Sequence, residues 1–287
     1  MGYLPSTGGE EIGRSVELVE VFSLFREPPV QNKSNTMFKS SLFAFGLASV
    51  VASVASADMI AQWDFQTTTT GGTAIAAAPA TQKLFVANFG TGSLYLNGTN
   101  GSSDFFEPAT GTTSTEINAF GGTALNATGS MSTVTTSPAA LAIIGGAASV
   151  PAGTFGANGK AMVFKFSMSG LSNLAVSYAV QRTASGFTTQ QWDYSSDGTT
   201  WSSAATITGI QLSFAAGTTP ANVVTSLGVA SGLDNAATAY MRVTFTGATS
   251  STGNNRMDNF QFNADAIPAP GAIALLGLAG LIGRRRR

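Results

Sequence analysis

The chain has 287 residues with no cysteine and no histidine, 10% charged residues and a formal net charge of −1. Without those two side chains there is no disulfide framework, no thiol nucleophile, no Ser-His-Asp triad and no ordinary zinc site. Nor does a weakly acidic balance supply the clustered Lys and Arg that phosphates require, so no nucleic-acid partner is expected.

Residues 1–36 form a charged segment without marked apolar periodicity, in which Glu10, Glu11, Glu17, Glu20 and Glu27 stand with Arg14, Arg26 and Lys33. At Met37-Phe38-Lys39 the chain begins again: Lys39 is a short positive region, Leu42 to Val54 an apolar run, and Ala55-Ser56-Ala57 a small-x-small cleavage site. That is a secretory signal peptide, residues 37–57, cut between Ala57 and Asp58 and read by the secretion translocon. Such peptides act at an N-terminus, so translation is expected to start at Met37, with 1–36 an extension from a misplaced start. Leu4-Pro5-Ser6-Thr7-Gly8 spells a sortase motif, but at the wrong end of the chain, and is read as coincidence.

The segment 58–266 is long enough for one good-sized domain and carries six basic against ten acidic residues. Short period-two alternations between turn residues predict strands. Met59, Ala61, Trp63 and Phe65 share one face of a first strand whose other face shows Gln62 and Asp64; Met162, Phe164, Phe166 and Met168 form a second apolar face. Leu174, Val176, Tyr178 and Val180 form a third after the turn Ser169-Gly170, and Met241, Val243 and Phe245 a fourth. Each strand is expected to have one packed and one wet face, as in antiparallel sheets. From Gln190 to Trp201 the pattern is a hairpin, with Asp197-Gly198 suited to a type I′ turn. The expected fold is all-β: a two-sheet antiparallel sandwich of jelly-roll type, preceded by a signal helix and followed by a transmembrane helix.

From about Tyr178 to Phe262 the sequence resembles the jelly-roll modules of bacterial surface and carbohydrate-binding proteins, on the stretches 192–201 and 253–260. For glycan binding the candidates are Trp201 as an exposed ring, with Arg182 and Gln190 as polar neighbours. Trp192 and Tyr194 lie two apart beside the polar Gln191, Asp193 and Ser195, which turns their rings inward. No cofactor is expected. A structural Ca²⁺ between Asp64 and Asp258 competes with plain ion pairs to Arg182, Arg242 or Arg256. No motif marks a catalytic carboxylate pair, so no catalytic residue is assigned and an enzyme is not expected.

At the C-terminus, Ile267-Pro268-Ala269-Pro270 breaks the chain ahead of thirteen uninterrupted apolar or glycine residues, 271–283, which stop at Arg284, Arg285, Arg286 and Arg287. Counted from Ile267 the run reaches seventeen residues, marginal against the roughly 20 needed to cross a bilayer. The arginines belong on the cytoplasmic side, which puts the segment 58–266 outside the membrane. This tail, 267–287, resembles the PEP-CTERM sorting signal. Ile267, Pro268, Pro270, the helix and the arginine cluster match, and Ala269 stands where the family has Glu. The resemblance implies processing near the proline motif by an exosortase, a membrane cysteine transpeptidase. A plain C-terminal anchor is the competing reading. The expected function is an exported, non-catalytic cell-surface or extracellular-matrix protein, held at the cytoplasmic membrane before reaching the envelope or the medium. The alternatives are a module that binds exopolysaccharide or foreign glycan, and a jelly-roll glycan-degrading enzyme.

Overall fold

The structure, a computed structural model, describes residues 57–66, 83–105, 115–128, 138–149, 154–214, 223–224, 227 and 231–268. The extension 1–36, the signal segment 37–56, the apolar run 271–283 and residues Ala269, Pro270 and Arg284 to Arg287 lie outside the described residues.

In chain order the strands are β1 (Asp58–Trp63), β2 (Leu84–Val86), β3 (Phe89–Gly90), β4 (Gly92–Tyr95), β5 (Ile117–Gly121), β6 (Pro138–Ile144), β7 (Ala148–Ser149) and β8 (Thr154–Phe155). They continue as β9 (Ala161–Phe166), β10 (Leu171–Arg182), β11 (Thr189–Ser195), β12 (Ser202–Ile207), β13 (Val223–Val224), β14 (Ala239–Thr246) and β15 (Asn254–Ala266). A seven-stranded sheet has the order β13-β10-β15-β1-β3, with β6 also on β15 and β5 on β6; a six-stranded sheet runs β12-β11-β14-β9-β4-β2. The pairings in both are antiparallel. β7 and β8 form a separate two-stranded ribbon. Apart from one 3-10 turn, Ser231–Leu233, the described residues are therefore all-β with two main sheets, as the alternations predict.

The two sheets meet over aromatic rings. Phe164 of the six-stranded sheet lies between Trp63, Phe260 and Phe262 of the other, at centroid distances of 5.0, 4.9 and 5.0 Å. Three of the four predicted inward faces are buried throughout: Met162, Phe164, Phe166 and Met168, then Leu174, Val176, Tyr178 and Val180, then Met241, Val243 and Phe245; of the first, Ala61, Trp63 and Phe65 are buried but Met59, across a register shift in β1, is only partly so. β1 meets β15 directly, in the register Asp58↔Ala264 to Trp63↔Phe260, so the first and last strands are neighbours. Gly90, at φ +69°, lies so close to β1 that a Cβ there would stand 1.8 Å from the Ile60 carbonyl oxygen. Only glycine fits that edge.

Two features depart from the sequence pattern. The wet face predicted for the first strand is absent, because Gln62 and Asp64 are as buried as Trp63. Over the neighbouring β15 lies the loop 122–128: the Thr123 amide donates to Asp258 Oδ2 (2.9 Å), Asn259 Nδ2 donates to the Thr123 and Leu125 carbonyls (2.7 and 2.8 Å), and Asn126 Nδ2 donates to the Asn259 carbonyl (2.8 Å). Alternation reports side-chain direction, and a loop folded over a sheet buries the polar side as well. The other departure is in the hairpin of β11 and β12, whose connection is the longer loop 196–201. Gly198 has φ +74° and Asp197 does not have positive φ, so this is no type I′ turn. Asp197 Oδ1 instead accepts hydrogen bonds from the Thr200 and Thr199 amides (2.7 and 2.8 Å) and from Ser195 Oγ (2.8 Å). These donors hold its carboxyl far below the usual range.

Candidate functional site

The three residues expected to contact glycan do not come together. Gln190 is fully buried; its Oε1 accepts the Tyr178 hydroxyl, and its Nε2 faces Met257 Sδ at 3.7 Å. Parity explains this: Gln190, Trp192 and Tyr194 share one face of β11, and that face is the core. Arg182 is a clasp. Its Nε donates to the Ile210 carbonyl (3.0 Å), and another guanidinium nitrogen donates to those of Thr183 and Ala184 (3.2 and 3.0 Å). Trp201 is half-buried rather than open, with the Arg242 guanidinium 4.2 Å from its ring centroid and Tyr240 against its edge at 6.5 Å. A cation lies over the Trp201 ring, where a sugar face would have to stack.

Trp192 is fully buried, as expected, and donates from Nε1 to Tyr178 Oη at 3.1 Å. Burial in turn pushes the Tyr178 phenol up, opposed by that hydrogen bond. Tyr194 is partly buried and packs against the same core.

Cross-strand register assembles a different set of side chains on the outer face of the six-stranded sheet. Ser93, Lys165, Tyr240 and Ser195 stand side by side on β4, β9, β14 and β11; the next row is Tyr95, Val163, Arg242 and Asp193. Arg242 is paired, its guanidinium 2.8 Å from Asp193 Oδ2. Lys165 Nζ donates to Asn100 Oδ1 at 3.3 Å and lies 5.6 Å from the Tyr240 centroid. At the end of these rows an open cleft of about 280 Å³ is lined by Thr91, Gly92, Ser93, Tyr95, Lys165, Phe166, Ser167 and Thr238. The residues that line this one concavity carry a tyrosine ring, one ammonium and four hydroxyls, on Tyr95, Lys165, Thr91, Ser93, Ser167 and Thr238, the chemistry by which polyhydroxylated ligands are held. Sequence alone does not show it, because Tyr95 and Lys165 are far apart in the chain and meet only through the pairing of β4 with β9. The local signal is the outward parity of Lys165 within Ala161–Phe166.

Asp64, one residue past the end of β1, lies near enough to Asp258 on the neighbouring β15 for the two charges to interact. Both are fully buried. Burial holds the Asp258 carboxyl well above the usual range and the Asp64 charge adds to it, against the Thr123 and Asn259 amides that donate to it. Asn259 lies in the same place, at φ +52°, with its Oδ1 buried and without a hydrogen-bond partner. Two carboxylates and an amide oxygen have the donor chemistry of a hard cation and supply part of the six to eight oxygens that calcium takes. No group of three or more Asp, Glu, His or Cys stands together among the described residues. Of the competing arginines, Arg242 is paired with Asp193, Arg182 holds carbonyls, and Arg256 lies 4.4 Å over the Phe120 ring.

Ala57 and Asp58, the expected cleavage site, are exposed where β1 begins, and Ile267 and Pro268 are exposed just past the end of β15. Because Asp58 pairs with Ala264, both expected processing points emerge at one end of the seven-stranded sheet.

No family model and no curated protein matches the chain. Among solved structures the chain is similar to TmCBM61, solved in complex with β-1,4-galactotriose, at 7% identity and a TM-score of 0.29, covering 51% of this chain and 81% of that one. It is also similar to the K2 cleaved adhesin domain of Lys-gingipain, at 12% identity and a TM-score of 0.33, covering 70% of this chain and 96% of that one. Scores this low leave function to be read from the chain's own residues.

Proposed function

We propose that the chain is an exported, non-catalytic cell-surface or extracellular-matrix protein, a jelly-roll sandwich carried out by the signal peptide 37–57 and sorted by the PEP-CTERM-like tail 267–287. The observation that carries this reading is the order of the tail: Pro268 and Pro270, thirteen apolar or glycine residues, then four arginines. Emergence of both processing points at one end of a sheet supports it, since a sandwich held there presents its remaining surface away from the membrane. So do the carboxylates: Asp104, Glu116 and Asp193 are in ion pairs, and Asp197 holds a turn. Partners on this reading are the translocon, an exosortase-like transpeptidase and the cytoplasmic membrane.

The cleft favours a second reading, in which the displayed sandwich binds carbohydrate. It disfavours the degradative enzyme, whose carboxylate pair has to flank the bond it cuts, because no Asp or Glu is among the described residues lining it. The test is surface labelling of intact cells expressing the full chain. Changing Arg284 to Arg287 into glutamine is expected to impair retention and topology while the sandwich keeps its circular-dichroism spectrum. Unchanged surface display of that variant contradicts the sorting role of the tail.

A further inference from the structure

The cations of the described residues differ in how they are held. Lys83 is paired with Asp104 at 2.8 Å, Lys160 with Glu116 at 2.5 Å and Arg242 with Asp193 at 2.8 Å. Arg182 is engaged with backbone carbonyls, and Arg256 is laid over Phe120. The Lys165 ammonium has neither a carboxylate within ion-pair distance nor a backbone carbonyl among the described residues, and its ring contact, Tyr240 at 5.6 Å, is longer than that of Arg256 with Phe120 at 4.4 Å. Its hydrogen-bond acceptor there is a single amide oxygen, Asn100 Oδ1 at 3.3 Å. Lys165 is also one of the residues that line an open cleft whose described lining has hydroxyls and two aromatic residues but no acid.

An ammonium has three donors, so after Asn100 the group retains capacity for an anionic acceptor. A neutral sugar entering the cleft partly desolvates Lys165 without offsetting its charge, whereas a carboxylate offsets it through charge-assisted hydrogen bonds. Lys165 stands directly beside Ser93 in the register, and Tyr95 lies two residues along on the same face. A pyranose lying along β4 thus meets the Tyr95 ring at one end and the ammonium and Ser93 hydroxyl at the other. With about 280 Å³ available, the cleft suits one sugar unit and its substituent rather than a long chain segment.

Resting on the carbohydrate-binding reading, we propose that this cleft is selective for acidic polysaccharide, taking one uronic acid unit with its carboxylate on Lys165 and its ring face on Tyr95. Selectivity then comes from a single ammonium, so it is sensitive to salt and depends on that one residue.

The test is calorimetric titration of the full chain in detergent with galacturonate and glucuronate trisaccharides and with galactose and glucose trisaccharides of the same linkages. The tail arginines also attract anions, so every titration is repeated on the variant with Arg284 to Arg287 changed to glutamine. The acidic trisaccharides are expected to bind roughly tenfold more tightly than the neutral ones, losing that margin in high salt. Lys165→Gln is expected to abolish the margin, and Lys165→Arg to retain most of it. Tyr95→Ala is expected to weaken acidic and neutral sugars alike. If neutral sugars bind as well as acidic ones and Lys165→Gln changes neither, the acidic selectivity is wrong and carbohydrate binding stands. A margin that disappears with the tail arginines also overturns it. If no sugar of either kind binds, the carbohydrate reading itself falls.

Discussion

Replacing Trp192 with alanine separates a core ring from a binding ring. Trp192 is fully buried, stacks on Phe164 at 6.0 Å, meets Tyr178 at 5.4 Å and donates its indole N–H to Tyr178 Oη. Truncating a buried tryptophan costs about 3–5 kcal/mol through lost transfer energy and the cavity left behind. Losing the hydrogen bond to a buried hydroxyl adds about 1 kcal/mol. In a domain of this size each kcal/mol lowers the melting temperature by about 2–4 °C, so Trp192→Ala is expected to melt roughly 8–24 °C below the parent protein. Trp192→Phe keeps most of the ring area and isolates the hydrogen-bond share, a drop of a few degrees. Tyr95→Ala, on the outer face beside the cleft, is expected to stay within about 2 °C of the parent, since surface changes stay near 0.5 kcal/mol. Differential scanning calorimetry of the full chain in detergent reads all three. A Trp192→Ala trace that overlays the parent, or a Tyr95→Ala trace that falls as far as Trp192→Ala, refutes the assignment of core and outer face.

Acid should weaken the β11–β12 connection. The amides of Thr200 and Thr199 hold the Asp197 carboxyl below its unfolded value, so its contribution is present above about pH 4 and is lost as the pH falls through its lower folded value. Asp197→Ala should remove that part of the acid dependence of the melting temperature, and an identical pH profile for the variant contradicts it. Calcium added to chelator-treated protein is expected to raise the melting temperature by binding Asp64, Asp258 and Asn259 Oδ1. Asp258→Asn should abolish the rise, and a parent protein indifferent to calcium removes the cation from the account.

The inward faces are legible in sequence because alternation is a local property. Met162 to Met168, Leu174 to Val180 and Met241 to Phe245 need no partner strand to be read, and the parity that turns Trp192 inward is written in its polar neighbours. The same parity applied to Gln190 removes it from the glycan candidates. What is not legible depends on the long-range arrangement. Burial of Gln62 and Asp64 cannot be read from β1 alone, whatever its own alternation. The nearness of Asp64 to Asp258 rests on the adjacency of first and last strands, which the register supplies. The cleft is further from view, since β4 reaches β9 across a long stretch of chain and only that pairing sets Lys165 beside Ser93 and near Tyr95. Trp201 reads as open because it follows a polar turn, yet Arg242 on β14 lies over it.

Intact-mass measurement of the protein recovered from the surface and medium of cells expressing the full chain tests export and sorting most directly. The expected product begins at Asp58 and ends in the neighbourhood of Pro268 to Pro270. A product recovered with Met37 to Ala57 and the four C-terminal arginines still attached contradicts that expectation.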